Sequence, residues 1–317
     1  PRLGFVLDVT GKGSTIVRGA GGIFYDRPMG NVVFNMGGNA PATLNSDIRW
    51  GRLQTLGSGG SNDPYPTLSL APTQYEFTPP RVIAWNVGLQ QKLPGKLIFD
   101  ISYVGNKADN LVRQQNINAP ALGATFDPAN QDPTATPSSN GSSALPTDFL
   151  RPYQGYGDLN MYKYDGFSTY NSLQTSLQRR FDNGLMFALF YVWSKNLTTN
   201  FQDYAIGGTN GGINGDHDTI RRYDYSYSNW DRPHNIVLNF VYQTPKVTDN
   251  LALGLIANGW QISGVYRITS GQAYAINYSI PNATNDNLTG TSIPSARIAL
   301  TCDPGSGTSS DPYKQFD

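Results

Sequence analysis

Residues 170–196 read YNSLQTSLQRRFDNGLMFALFYVWSKN, and their alternation decides the class of fold. Leu185, Phe187, Leu189, Tyr191 and Trp193 fall on one side of a strand, because strand side chains alternate with period two. Upstream, Leu173, Thr175, Leu177 and Phe181 share one face, while Ser172, Gln174, Ser176, Gln178 and Arg180 share the other. Only Asp182-Asn183-Gly184 joins the two runs, a tight hairpin turn in which Asn-Gly supplies positive φ. Long, polar, glycine-rich sequence flanks the pair on both sides. One apolar face per strand, short turns at one end and long loops at the other describe a transmembrane β-barrel.

The same unit recurs along the chain. Strands are expected at about 2–9 and 15–25, 82–91 and 96–104, 170–181 and 185–194, and 235–243 and 259–278. The long segments at about 26–80, 106–165, 195–233 and 281–317 read as loops, rich in Pro, Asn, Ser, Thr and Gly. Aromatic residues gather where two membrane interfaces would lie. Trp85, Tyr103, Tyr191 and Trp193 stand near the long-loop ends of their strands, and Phe181, Tyr242 and Trp260 near the turn ends. The alternation predicts that Phe187, Leu189, Tyr191, Leu238, Phe240 and Ile262 point outward to lipid, with Gln174, Gln178, Asn239, Gln261 and Arg267 inward. A soluble β-sandwich also alternates, but nothing in it requires all long loops at one end or aromatics at both.

Composition narrows the class further. The 317 residues carry 34 Gly, 21 Pro and 19 Tyr, which suits turns and strands rather than helices. Lys and Arg total 23 and so do Asp and Glu, a balance that argues against a nucleic-acid partner. No apolar run approaches the ~20 residues of a spanning helix. The single cysteine, Cys302, excludes an internal disulfide framework and reads as an incidental loop residue. No signal peptide stands at Pro1, although a barrel must be exported. With short turns toward the periplasm, both ends of the chain would lie outside the cell. The sequence therefore reads as an internal section of a larger barrel.

Candidate chemistry is sparse. Asp216-His217-Asp218 offers metal-ligand types, but adjacent loop residues rarely converge on one ion, so no metal or other cofactor is expected. Asp8, Asp100, Arg18, Arg180 and Arg267 fall on the inward face, where charges satisfy one another or an enclosed domain. Two histidines and scattered carboxylates assemble no nucleophile–base–acid set, so no enzymatic activity is expected. Gly11-Lys12-Gly13-Ser14 lacks the spacing and the following helix of a phosphate loop. The loop aromatics Tyr153, Tyr156, Tyr162 and Tyr164, with Tyr223, Tyr225, Tyr227 and Trp230, have flat faces among Asn and Asp suited to a saccharide or peptide. The same residues would equally pack loop against loop.

Six blocks carry a resemblance: PRLGFVLDVTGKGSTIVRGAGGIFYDR (1–27), WNVGLQQKLPGKLIFDISYVGNKADNL (85–111), NINAP (116–120), residues 170–196 quoted above, DRPHNIVLNFVYQTP (231–245) and GWQISGVYRITSGQAY (259–274). In this order they resemble the barrel of TonB-dependent outer-membrane receptors, specifically the Oar-like group with a carboxypeptidase-regulatory-like domain. The resemblance implies a 22-stranded barrel in the bacterial outer membrane, a plug domain inside it, and coupling to the TonB complex through an N-terminal part not in this sequence. It implies uptake of a large or scarce nutrient. The expectation from a different class is a structural or adhesive barrel whose extracellular loops bind a partner.

Overall fold

The computed structural model describes residues 1–27, 30–39, 54, 68–121, 123–134, 136, 143–199, 217–248, 253, 256, 258–273, 278–279, 295–296, 301 and 303. Its strands in chain order are β1 (Arg2–Asp8), β2 (Thr15–Tyr25), β3 (Leu68–Leu70), β4 (Arg81–Leu93), β5 (Leu97–Asn116), β6 (Tyr156–Asp182), β7 (Leu185–Thr198), β8 (Ser226–Tyr227), β9 (His234–Gln243), β10 (Gln261–Thr269), β11 (Tyr278–Ser279) and β12 (Ser295–Ala296). Three short helices, α1 (Gly30–Met36), α2 (Thr147–Leu150) and α3 (His217–Tyr223), lie in the long connections. Eight strands of a ten-stranded sheet run in the order β1-β2-β4-β5-β6-β7-β9-β10, each antiparallel to the next, while β3 pairs with β6 and β8 with β7 off this path. Among the described residues β1 and β10 do not pair, so this is an open section of a barrel.

Pairing carries one face unbroken across the sheet. Phe187 stands between Arg179 and Phe240, Leu189 between Leu177 and Leu238, and Tyr191 between Thr175 and Ile236. The row continues through Ile101, Leu89, Val17 and Leu7 on one side and Ile268 on the other. On the opposite face Gln174 meets Val192, Gln178 meets Ala188, and Asn239 lies between Ala188 and Val265. That face is mixed rather than wholly polar, since Ile98, Phe190 and Val241 share it. Arg18 reaches Asp100 at 2.6 Å on this face, two strands away. Gly88 lies opposite Arg18 on the intervening strand and puts no side chain in the path.

Two glycines show why this strand sequence tolerates its breaks. Gly105 faces Trp85 across the ladder, and a Cβ there would come within 2.6 Å of the indole. The ring therefore lies over bare backbone, an aromatic covering the glycine of the next strand. At the β6–β7 turn, Asn183 and Gly184 take φ of 47° and 76°, the pairing that a two-residue hairpin with right-handed twist requires.

Several expected boundaries move. The segment expected as a loop over 106–165 is instead strand at both ends, because β5 runs to Asn116 and β6 starts at Tyr156. A bulge between Ala108 and Arg113, with Asn110 at φ 59°, resets the register there. Beyond it Arg113, Gln114, Gln115 and Asn116 are all buried, so no face remains polar against solvent to give alternation. The eighth strand ends at Thr269 instead of running on to Tyr278, which pairs with Ala296 in a separate two-stranded sheet. The connections at 26–80 and 195–233 are not wholly irregular, since they hold α1 and β3, and α3 and β8. Nor is pairing antiparallel throughout: β3 runs parallel to β6, covering the edge of β6 beyond the end of β7. Cys302 and Tyr274 lie outside the described residues.

Gly184 yields the first test. An added Cβ would meet the Gln243 carbonyl at 2.5 Å, and the left-handed conformation costs a non-glycine residue about 1–2 kcal/mol. Gly184→Ala should therefore lower the urea unfolding midpoint by at least that equivalent. Gly271→Ala, where a Cβ meets nothing within 4 Å, should leave it in place.

Candidate loop platform and membrane girdle

Above the aromatic rows the extended halves of β5 and β6 carry a layer of packed connections. Its anchor is Arg113, fully buried on β5. The guanidinium grips Asp165 of β6 with two bonds, Nε to Oδ1 at 2.9 Å and Nη2 to Oδ2 at 3.1 Å. Its remaining arm reaches Asp224 Oδ2 at 2.8 Å, just past α3. A buried arginine costs too much desolvation to stand unpaired, and the planar fork suits two carboxylates at once. Thus β5, β6 and the connection between β7 and β9 meet on one cation.

A second anchor is NINAP. Asn118 Nδ2 donates to the carbonyls of Tyr153, Tyr156 and Gly157, and its Oδ1 accepts from the Tyr153 N–H at 2.7 Å. Asn116 Oδ1 accepts from the N–H groups of Asn118 and Leu159, while Arg151 donates to the Asn118 carbonyl and Asp158. Side-chain amides here do the work of a missing ladder: the buried Asn116 and Asn118 satisfy backbone groups of the turn that leads into β6. The first long connection is tied in too, through Asn35 Nδ2 to the Tyr162 hydroxyl at 2.8 Å and Phe77 edge-on to Tyr164 at 5.0 Å.

The eight candidate aromatics are not brought to one surface. Tyr162 and Tyr164 belong to β6 rather than to a loop, and both are buried, at 2% and 6% exposure. They are packing residues of the platform. Tyr225 is tilted against Phe167, itself stacked by His217. Tyr153, Tyr156, Tyr223, Tyr227 and Trp230 are exposed. Arg222 lies over the Tyr223 ring and Lys195 over Tyr227. His217 Nδ1 stands 3.6 Å from Asp218, and among the described residues no three His, Cys, Asp or Glu side chains gather as a metal set; Asp216 lies outside those residues.

The girdle residues keep to one face. Trp85, Tyr103, Phe187, Leu189, Tyr191, Trp193, Phe240 and Tyr242 share the aromatic face through the pairings of β4 to β9. Trp260 lies one residue before β10 and donates from its indole to the Ile256 carbonyl at 2.6 Å. The residues that hold the platform, Arg113, Asn116, Asn118, Asp165 and Asp224, carry no spacing signal in the sequence. Apart from the local Asn116–Asn118 bond, the partners named for these side chains are 35 to 111 residues away in the chain. NINAP was legible only as part of a resemblance.

The platform generates a test of its own. Asp224→Ala removes one charge-assisted bond from a buried guanidinium, a loss of about 1.5–3 kcal/mol. Amide hydrogen exchange over 217–224 should rise steeply in Asp224→Ala and much less in Asp224→Asn, which keeps an acceptor. Exchange over the β4–β5 turn should be unchanged in both.

Against known families, the outer membrane beta barrel domain model matches the whole chain, residues 1–317. No curated protein matches it significantly. Among solved structures, the chain is similar to the outer membrane transporter YddB from Escherichia coli, with TM-score 0.44 and 12% identity over 75% of this chain and 26% of that one. It is similar to the alcaligin outer membrane receptor FauA from Bordetella pertussis, with TM-score 0.36 and 11% identity over 85% and 29%. The siderophore receptor PirA from Pseudomonas aeruginosa gives TM-score 0.36 and 11% identity over 87% and 36%. The chain thus spans between 26% and 36% of the length of these structures. The full-length family match, with the antiparallel open sheet, makes this chain a member of the outer membrane beta-barrel domain family, resident in the bacterial outer membrane.

Proposed function

We propose that this chain is a section of the barrel of a TonB-dependent outer-membrane transporter that takes up a nutrient. The carrying observation is that the outer edges of β1 and β10 are unpaired among the described residues. Unpaired backbone N–H and C=O groups cost several kcal/mol each in hydrocarbon, so further strands must meet both edges. Eight strands alone close around an interior that side chains fill. A ring that contains these eight and more encloses a wider bore, which a passive anchor does not need. The ordered sequence blocks that resemble TonB-dependent receptors, with their plug and TonB coupling, support the same reading. In it the aromatic face meets lipid, the mixed face lines the path, the platform lies outside the cell, and the chain performs no catalysis.

Two measurements test this. A charge at mid-membrane on the lipid face costs ~2–4 kcal/mol. Leu189→Arg should therefore block assembly, read as heat-modifiable gel mobility, while Gln178→Arg on the other face assembles. Equal tolerance rejects the assignment of faces. For transport, deletion of the gene and loss of TonB should abolish uptake of the same limiting nutrient. Normal uptake with lost surface attachment would overturn transport in favour of an adhesive barrel.

A further inference from the structure

On the aromatic face, near its long-loop end, a recess of about 520 Å³ opens between β6, β7 and the turn that leads into β9. Leu173 and Trp193, directly paired, and Tyr103, paired with Leu173, give it an apolar floor. Lys195, Asn171 and Tyr227 stand above this floor. Lys195 is exposed and has no carboxylate partner among the described residues; its ammonium lies 5.2 Å from the Tyr227 ring centre. The Tyr103 hydroxyl donates to Asn171 Oδ1, which leaves the Asn171 NH₂ directed elsewhere with no partner among the described residues. The Tyr227 hydroxyl is likewise without one.

The other charges nearby are already committed. Asp231 lines the recess but is 3% exposed, and its Oδ1 accepts from the Asn196 N–H at 2.6 Å. Arg232 spends its guanidinium on the Asn229 and Asp231 carbonyls and on Gln272. Farther along the same rim, Arg81 and Lys107 share the single carboxylate of Asp109. Along this end of the face Lys195, Arg232, Arg81 and Lys107 thus outnumber the carboxylates of Asp109 and Asp231, and Lys195 is the cation that lines the apolar slot. Three donors without acceptors, one of them cationic, above a hydrocarbon-compatible floor match one ligand chemistry.

We infer that this recess seats an anionic lipid of the surrounding leaflet, its phosphate held by Lys195, Asn171 and Tyr227 and its acyl chain lying along Tyr103, Leu173 and Trp193. The inference rests on the aromatic face meeting lipid, which Leu189→Arg tests separately. A basic group at the membrane surface strengthens attraction to an anionic head group by about fivefold per cation.

The test uses the full-length protein purified in zwitterionic detergent, with bound lipid counted by native mass spectrometry. Wild type should retain phosphatidylglycerol in preference to phosphatidylcholine. Lys195→Glu should lose that preference at least fivefold, while Lys195→Arg keeps it. Lys12→Glu, at the opposite end of the barrel in the first hairpin turn, should also keep it. Variant folding is verified by heat-modifiable mobility. Equal retention of the two lipids, an unchanged Lys195→Glu, equal loss in Lys12→Glu, or displacement of the lipid by inorganic phosphate alone would each overturn the inference.

Discussion

Every backbone N–H and C=O that enters hydrocarbon must find a partner within the protein, and the rest of this structure follows from that constraint. It forces the spanning segments into a continuous antiparallel ladder. It sets the alternation of side chains between two unlike media. It also makes the outer edges of β1 and β10 consequential, because among the described residues the ladder stops there. The long connections solve the same problem outside the membrane by other means, with Asn116, Asn118 and Arg113 supplying the donors and acceptors that a ladder would provide.

The aromatic face and the platform divide the labour between energetics and position. Cross-strand contacts on the face are individually worth a few tenths to one kcal/mol and act through number. The platform depends on few groups with much at stake, above all the Arg113 guanidinium between Asp165 and Asp224. Loss of one residue on the face thins a surface, whereas loss of one at the cation frees a segment.

How much of this was legible in the sequence tracks how unlike the two sides of a strand are. From Leu185 to Trp193 the sides differ, period two is clean, and both the strand and its register could be read. From Leu111 to Asn116 and from Gly157 to Phe167 both sides are buried or half-buried, Arg113, Gln114, Gln115 and Asn116 among them, and alternation vanishes. Tyr162 and Tyr164 looked like loop aromatics for that reason, although they are strand residues: Thr73 and Asn35 of α1 meet Tyr162, and Phe77 packs on Tyr164. The end of β10 was missed for a different cause, because Tyr274 to Tyr278 continues a strand-like composition after pairing with β9 has ended. Among the candidate positions, the common face of the aromatic residues followed from periodicity, but the ion triad depends on contacts that no local pattern encodes.

The order of the sheet has one more consequence, for how such a chain reaches its final state. Each of the six inner long strands pairs with the long strands immediately before and after it, and β1 and β10 each pair with one. Loop-closure entropy is therefore incurred one connection at a time, and no strand has to wait for a distant part of the chain to be made. The sheet can grow hairpin by hairpin, each arrival converting an exposed edge into an interior strand and presenting a new edge in its place. A machine that inserts such a protein needs to shelter only the growing edge, not the whole unfolded chain.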